Sequence, residues 1–215
     1  MALATDKSVF LHIPKTAGIF IRNAFDACGI AHYEIGHQHA HFPELFKYKD
    51  RDFYNEKFLF AFVRHPLTWY QSRWAFRMKR GWVSTHPIDN NCCSNDFRLF
   101  VQNVLAYEPS GWYTKECMTF IDTCPRDVDF IGHVENVVED CIMAFQLAGE
   151  KFDPAIIRNI PRINDSDLDG KSSKYWARYN IKLAKKVISA ERSIIDRYYS
   201  GYDFDISTVC GDQPY

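Results

Sequence analysis

The chain has 215 residues, 47% apolar and 16% aromatic, with a formal net charge of −1 at pH 7. This length supports one domain, residues 1–215, with room for a full core. The near-zero charge excludes nucleic-acid binding through a general basic field, and no apolar run approaches the roughly 20 residues of a membrane-spanning helix.

In chain order, Ser8–Ile13 reads as a buried strand. The segment Ile19–Cys28 reads as a helix, with Phe20, Ala24, Phe25 and Cys28 on one face and Gly29 at its end. Residues 31–57 are polar, histidine-rich and loop-like. Phe58–Val63 (FLFAFV) is a continuous apolar run, the pattern of a strand covered on both faces. Pro66 suits the first turn of a helix running to Arg80, before Gly81. Residues 82–95 read as a loop, and Ser94 or Asn95 caps a helix carrying Phe97, Phe100, Val101, Val104 and Leu105. Residues 107–127 read as irregular. Val128–Val134 is a third strand, followed by a helix over Val137–Leu147 and, beyond a polar loop at 161–172, a helical last third. Strands separated by helices predict an α/β fold with a central parallel sheet flanked by helices and a ligand at the carboxyl ends of the strands.

Seven cysteines form no CxxC pair, and Cys92 and Cys93 are adjacent. No charged and apolar leader opens the chain, so a cleaved signal is not expected. Free thiols in a reducing, cytoplasmic setting follow, with peripheral membrane association left open. His86 near Cys92 and Cys93 fits no common zinc spacing, so no metal is expected.

Two segments carry chemistry. In SVFLHIPKTAG (residues 8–18) an apolar strand feeds a tight turn, a lysine and a helix start. That arrangement cradles an anion, most often a phosphate, and it lacks the GxxxxGK[ST] spacing of a Walker A loop. In FVRHP (residues 62–66) Arg64 stands at a strand's carboxyl end, with Ser72 eight residues further on. A guanidinium fork and a hydroxyl suit a second phosphate; the plainer alternative is an arginine paired with a carboxylate.

Together, HIPKTAG and FVRHP…Ser72 resemble the sulfotransferases that use 3′-phosphoadenosine 5′-phosphosulfate, in particular the carbohydrate, 2-O-sulfotransferase-like branch. Two later stretches agree: Asp129–Asn136 (DFIGHVEN), and the tail Ile195–Tyr199 with Tyr202, Asp203 and Phe204. The resemblance implies a P-loop-like three-layer domain. It also implies that Pro14, Lys15, Thr16, Ala17 and Gly18 hold the 5′-phosphosulfate, that Arg64 and Ser72 hold the 3′-phosphate, and that an HxH histidine is the base. Here His39 is first choice and His37 second, and the register His39-Ala40-His41 stays open. Where the family usually has a serine or threonine after the glycine, this chain has Ile19-Phe20.

Lysine at the bridging oxygen stabilises the charge that grows there as sulfonate leaves, and no metal is required. The helix after Pro66 also carries Arg73, Arg77 and Arg80 on one face, either a dock for an acidic glycan acceptor or a solvated face. Trp69, Trp74, Trp82, Trp112 and Tyr113 suit sugar or adenine stacking, or the core. Asn164, Lys171, Ser172, Ser173 and Lys174 lie in a polar loop able to close over a nucleotide. Two other functions remain: a protein of this fold that binds nucleotide or glycan without turnover, and a P-loop-like small-molecule kinase.

Overall fold

A computed structural model describes residues 2–37, 40–161 and 176–211. Its internal contacts divide into two compact units, Met1–Arg64 with Glu116–Ile163, and His65–Lys115 with Asn164–Tyr215.

The first unit holds a five-stranded sheet in the order β3-β1-β2-β4-β5. Its strands are β1 (Ala2–Ala4), β2 (Ser8–Leu11), β3 (Tyr33–Ile35), β4 (Phe58–Val63) and β5 (Phe130–His133). The strands β2, β4 and β5 run parallel, with Leu11 opposite Ala61 and Val63 opposite His133. The sheet as a whole is mixed, because β1 pairs antiparallel with both β2 and β3. This corrects the expectation of a purely parallel sheet. At three residues each, β1 and β3 are too short to show a two-residue period.

From Leu59 to Val63 every side chain of β4 is fully buried, so both faces of this strand are covered, as a continuous apolar run requires. On one face Phe10, Phe60 and Phe62 meet Ile21, Ala24 and Phe25 of α1 (Gly18–Ala27), Cys141, Ile142, Ala144 and Phe145 of α8 (Val137–Leu147), and Ile157 of α9 (Pro154–Arg158). The rings of Phe25 and Phe145 stack at 4.5 Å. Burying each phenylalanine stabilises by about 1.5–3 kcal/mol. Asp129 clamps the entry to β5: its carboxylate accepts from Leu59 N–H at 2.7 Å and from Arg126 at 2.6 and 2.8 Å.

The loop-like stretches contain further helices. Residues 31–57 hold α2 (Phe42–Leu45) and α3 (Arg51–Asn55) as well as β3. Residues 82–95 hold α5 (Pro87–Cys92), and residues 107–127 hold α7 (Trp112–Ile121).

The second unit packs α4 (Pro66–Arg80), α6 (Phe97–Tyr107), α10 (Ile181–Ala190) and α11 (Arg192–Tyr198). The cap of α6 is Asp96, whose side chain accepts from Leu99 N–H. The unit is pinned at Glu191, fully buried, which accepts from Tyr70 Oη at 2.6 Å, Tyr113 N–H at 3.1 Å, Thr114 N–H at 2.7 Å and Thr114 Oγ1 at 2.6 Å. A carboxylate there closes the orphan donors at the start of α7. Gly111, with φ +93°, leaves the room it needs: a Cβ would meet Glu191 Oε2 and the Ala190 carbonyl. Among the described residues no helix is long and apolar enough to cross a membrane.

Candidate functional site

The loop that leaves β2 has an unusual backbone. Lys15 and Ala17 both take φ of +65°, the only non-glycine residues with positive φ among those described. Each left-handed residue costs roughly 1–2 kcal/mol, and such strain gathers at ligand-holding sites. The two bracket Thr16, fully buried, whose hydroxyl donates to the Ile13 carbonyl at 2.8 Å. Thr16 therefore shapes the loop. Alternating left-handed residues turn successive amides toward one side, and α1 begins at Gly18 with first-turn N–H groups that have no intrahelical acceptor.

His12 was not singled out from the sequence, yet it belongs to this loop. Its ring stacks on Phe10 at 5.8 Å and lies against Gly18, where a Cβ would overlap the imidazole. Pro14 is buried and Lys15 half-buried, and Ile19 is 52% exposed in the first turn of α1.

Arg64 is half-buried and follows the last residue of β4. The registers put the Lys15 loop, Arg64 and His133 at the carboxyl edge of three adjacent parallel strands. Neighbouring strands lie about 4.8 Å apart, so Lys15 and Arg64 rise from adjacent strand ends. At the third end Asp140 accepts from the His133 backbone N–H at 2.6 Å and from Asn136 Nδ2 at 2.7 Å, and stands 3.5 Å from His133 Nδ1. A carboxylate held twice orients that imidazole. Ser72 is half-buried on α4, in the second unit.

His39 lies outside the described residues. His37 Nε2 stands 3.3 Å from Glu44 Oε1, and His41 Nε2 stands 3.9 Å from Glu44 Oε2. Burial pushes the Glu44 carboxyl up, but the His37 hydrogen bond and the charges of both histidines outweigh it and hold the group below its ordinary value. Among the described residues no cluster of His, Cys, Asp and Glu is placed to hold a metal.

The arginines of α4 do not form the expected open basic face. Arg73 is 5% exposed and donates to Asp89 Oδ1 at 2.8 Å, and Arg77 Nε approaches Asp89 Oδ2 to 2.5 Å. Asp89 sits on α5, inside a stretch the sequence presents as loop. Only Arg80 of the three is exposed. Trp69 and Tyr113 are buried and stack at 4.7 Å, and Trp74 is buried with its indole N–H on the Ser94 carbonyl. These three rings belong to the core. Asn164, Lys171, Ser172, Ser173 and Lys174 lie outside the described residues.

No family model, curated protein or solved structure matches this chain. The fold is that of an α/β protein whose mixed sheet presents a strained, lysine-bearing loop at the carboxyl edge of its parallel strands.

Proposed function

We propose that this chain transfers sulfonate from 3′-phosphoadenosine 5′-phosphosulfate to an acceptor hydroxyl on a carbohydrate. The observation that carries this reading is the pair of left-handed, non-glycine residues in the loop between β2 and α1, with β2 paired to β4, the strand that Arg64 follows. The strain presents amides and a lysine to one anion, and the arginine serves a second phosphate of the same donor.

In the proposed step the acceptor oxygen attacks sulfur in line. The bond from sulfur to the bridging oxygen breaks, and that oxygen keeps the electron pair on the departing adenosine bisphosphate. Lys15 and the amides of residues 17 and 18 stabilise the growing charge. The acceptor proton passes to a histidine of the 37–41 segment, His39 first and His37 second. Arg64 grips the 3′-phosphate, remote from the bonds that change, and so adds binding energy to the transition state.

One observation favours a second reading, binding without turnover. Ile19, 52% exposed in the first turn of α1, stands where the resembled family usually carries a hydroxyl side chain. Incubating the chain with isotopically labelled donor and a panel of glycan hydroxyls, read by mass, separates the two. Labelled product from the chain, lost on Lys15→Ala, supports transfer. Donor binding with no product from any acceptor supports the second reading.

A further inference from the structure

Arg73, Arg77, His86, Asp89 and Trp112 form a cluster in the second unit that is independent of the reading above. Asp89 is buried and is approached from three sides: Arg73 Nη2 at 2.8 Å and His86 Nδ1 at 3.9 Å on Oδ1, and Arg77 Nε at 2.5 Å on Oδ2. The Val83 N–H adds a long contact to Oδ2 at 3.3 Å. The Arg73 and Asp89 side chains are 6% and 0% exposed, and that of Arg77 is 11%. Two guanidiniums against one carboxylate leave one positive charge largely removed from water. An uncompensated buried charge is costly, so the excess calls for an anion.

The donor count points the same way. Arg73 Nε, Arg77 Nε, His86 Nδ1 and Trp112 Nε1 are buried and have no hydrogen-bond partner among the described residues. The Arg77 N–H is close to Asp89 but not aligned on it. The His86 and Trp112 rings lie 6.0 Å apart, which brings the indole donor to the same cluster. An indole N–H and a guanidinium Nε–H only donate, so an acceptor is what the cluster lacks. His86 is pushed down to about 4 by burial, then by Arg73 and Arg77 against the opposing pull of Asp89. It is neutral at pH 7 and, with 29% of its side chain exposed, forms the open side of the cluster.

We propose that Arg73, Arg77, His86 and Trp112 form an anion site that takes one tetrahedral oxyanion, a sulfate or phosphate group. Asp89 neutralises one arginine and holds both forks in place, and the ligand neutralises the other. A planar carboxylate presents two acceptor oxygens where a tetrahedral oxyanion presents three or four, a better match to a cluster that holds several donors without an acceptor.

The test is a titration of the full chain, labelled with ¹⁵N-tryptophan, with sodium sulfate, sodium phosphate and glucose 6-sulfate, against sodium chloride at equal ionic strength. The assigned Trp112 indole N–H is the readout. The site predicts a saturable one-to-one shift with the oxyanions and none with chloride. That shift survives Lys15→Ala, and the affinity falls at least about tenfold in His86→Phe. Tighter binding of the ester identifies an esterified group as the ligand, and equal binding identifies the free ion. An indole signal that sulfate and phosphate leave unmoved in the unmutated chain overturns the proposal, with water then filling the donors. A shift lost in Lys15→Ala, or unchanged in His86→Phe, overturns it as well.

Discussion

Lys15 is the residue with the sharpest expected effect. It has a left-handed backbone at φ +65° and is half-buried in the loop that precedes α1. Lys15→Ala is expected to lower turnover by about 10²–10³-fold, the usual effect of removing one transition-state donor. Affinity for adenosine 3′,5′-bisphosphate should change only a few fold, and equal small effects on rate and binding contradict the role. Ala17 tests the strain itself. Ala17→Gly removes the Cβ penalty at φ +65° and should raise stability by about 1 kcal/mol in chemical denaturation. A loss of stability would show that the loop is not strained. At this scale the sequence shows the lysine, the glycine and the helix start. It hides the hydroxyl of Thr16, turned inward to Ile13, and the ring of His12 over Gly18, because both depend on a backbone path that no local pattern encodes.

The elements with a long apolar run or clear end signals are the legible ones. The strand Phe58–Val63 has the bounds of its apolar run, the helix Pro66–Arg80 has those that Pro66 and Gly81 mark, and the helix Val137–Leu147 has its expected bounds. A long buried run or a three-turn stripe leaves few alternatives. The sheet's antiparallel margin is not legible because β1 and β3 are three residues each, and the helix α5 is not because it is short and polar. The missing α5 matters most, since it brings Asp89 against α4 and turns an apparent surface stripe into a buried ion cluster. Asp89→Ala leaves both guanidiniums without their counter-charge and should destabilise the chain by about 3–5 kcal/mol. A change within about 1 kcal/mol in urea denaturation would mean that Arg73 and Arg77 escape to water.

For the whole molecule, acid sensitivity follows from groups with opposite tendencies. Burial pushes the Asp129 carboxyl up, but the Arg126 bonds and the Leu59 amide outweigh it and hold the group below its ordinary value. Its contribution is therefore present above the unfolded value of about 4 and is lost as pH falls through the folded one. Glu191 has the reverse sign: burial raises it in spite of the hydrogen bonds from Thr114, Tyr70 and Tyr113, so its contribution is greatest at low pH and fades as pH rises through the folded value. Asp129→Asn should therefore cost most at neutral pH, and the difference from the unmutated chain should shrink below about pH 4. A difference in unfolding free energy that stays constant across that range contradicts the assignment.

The central claim is that the Lys15 loop and Arg64 grip one doubly phosphorylated adenosine. Calorimetric titration of the full chain with adenosine 3′,5′-bisphosphate and with adenosine 5′-monophosphate, each with and without magnesium, tests it directly. The expected result is one-to-one binding of the bisphosphate, unaffected by magnesium and at least about tenfold tighter than the monophosphate, with that preference gone in Arg64→Ala. Equal affinity for the two nucleotides, or bisphosphate binding that requires magnesium, would contradict it.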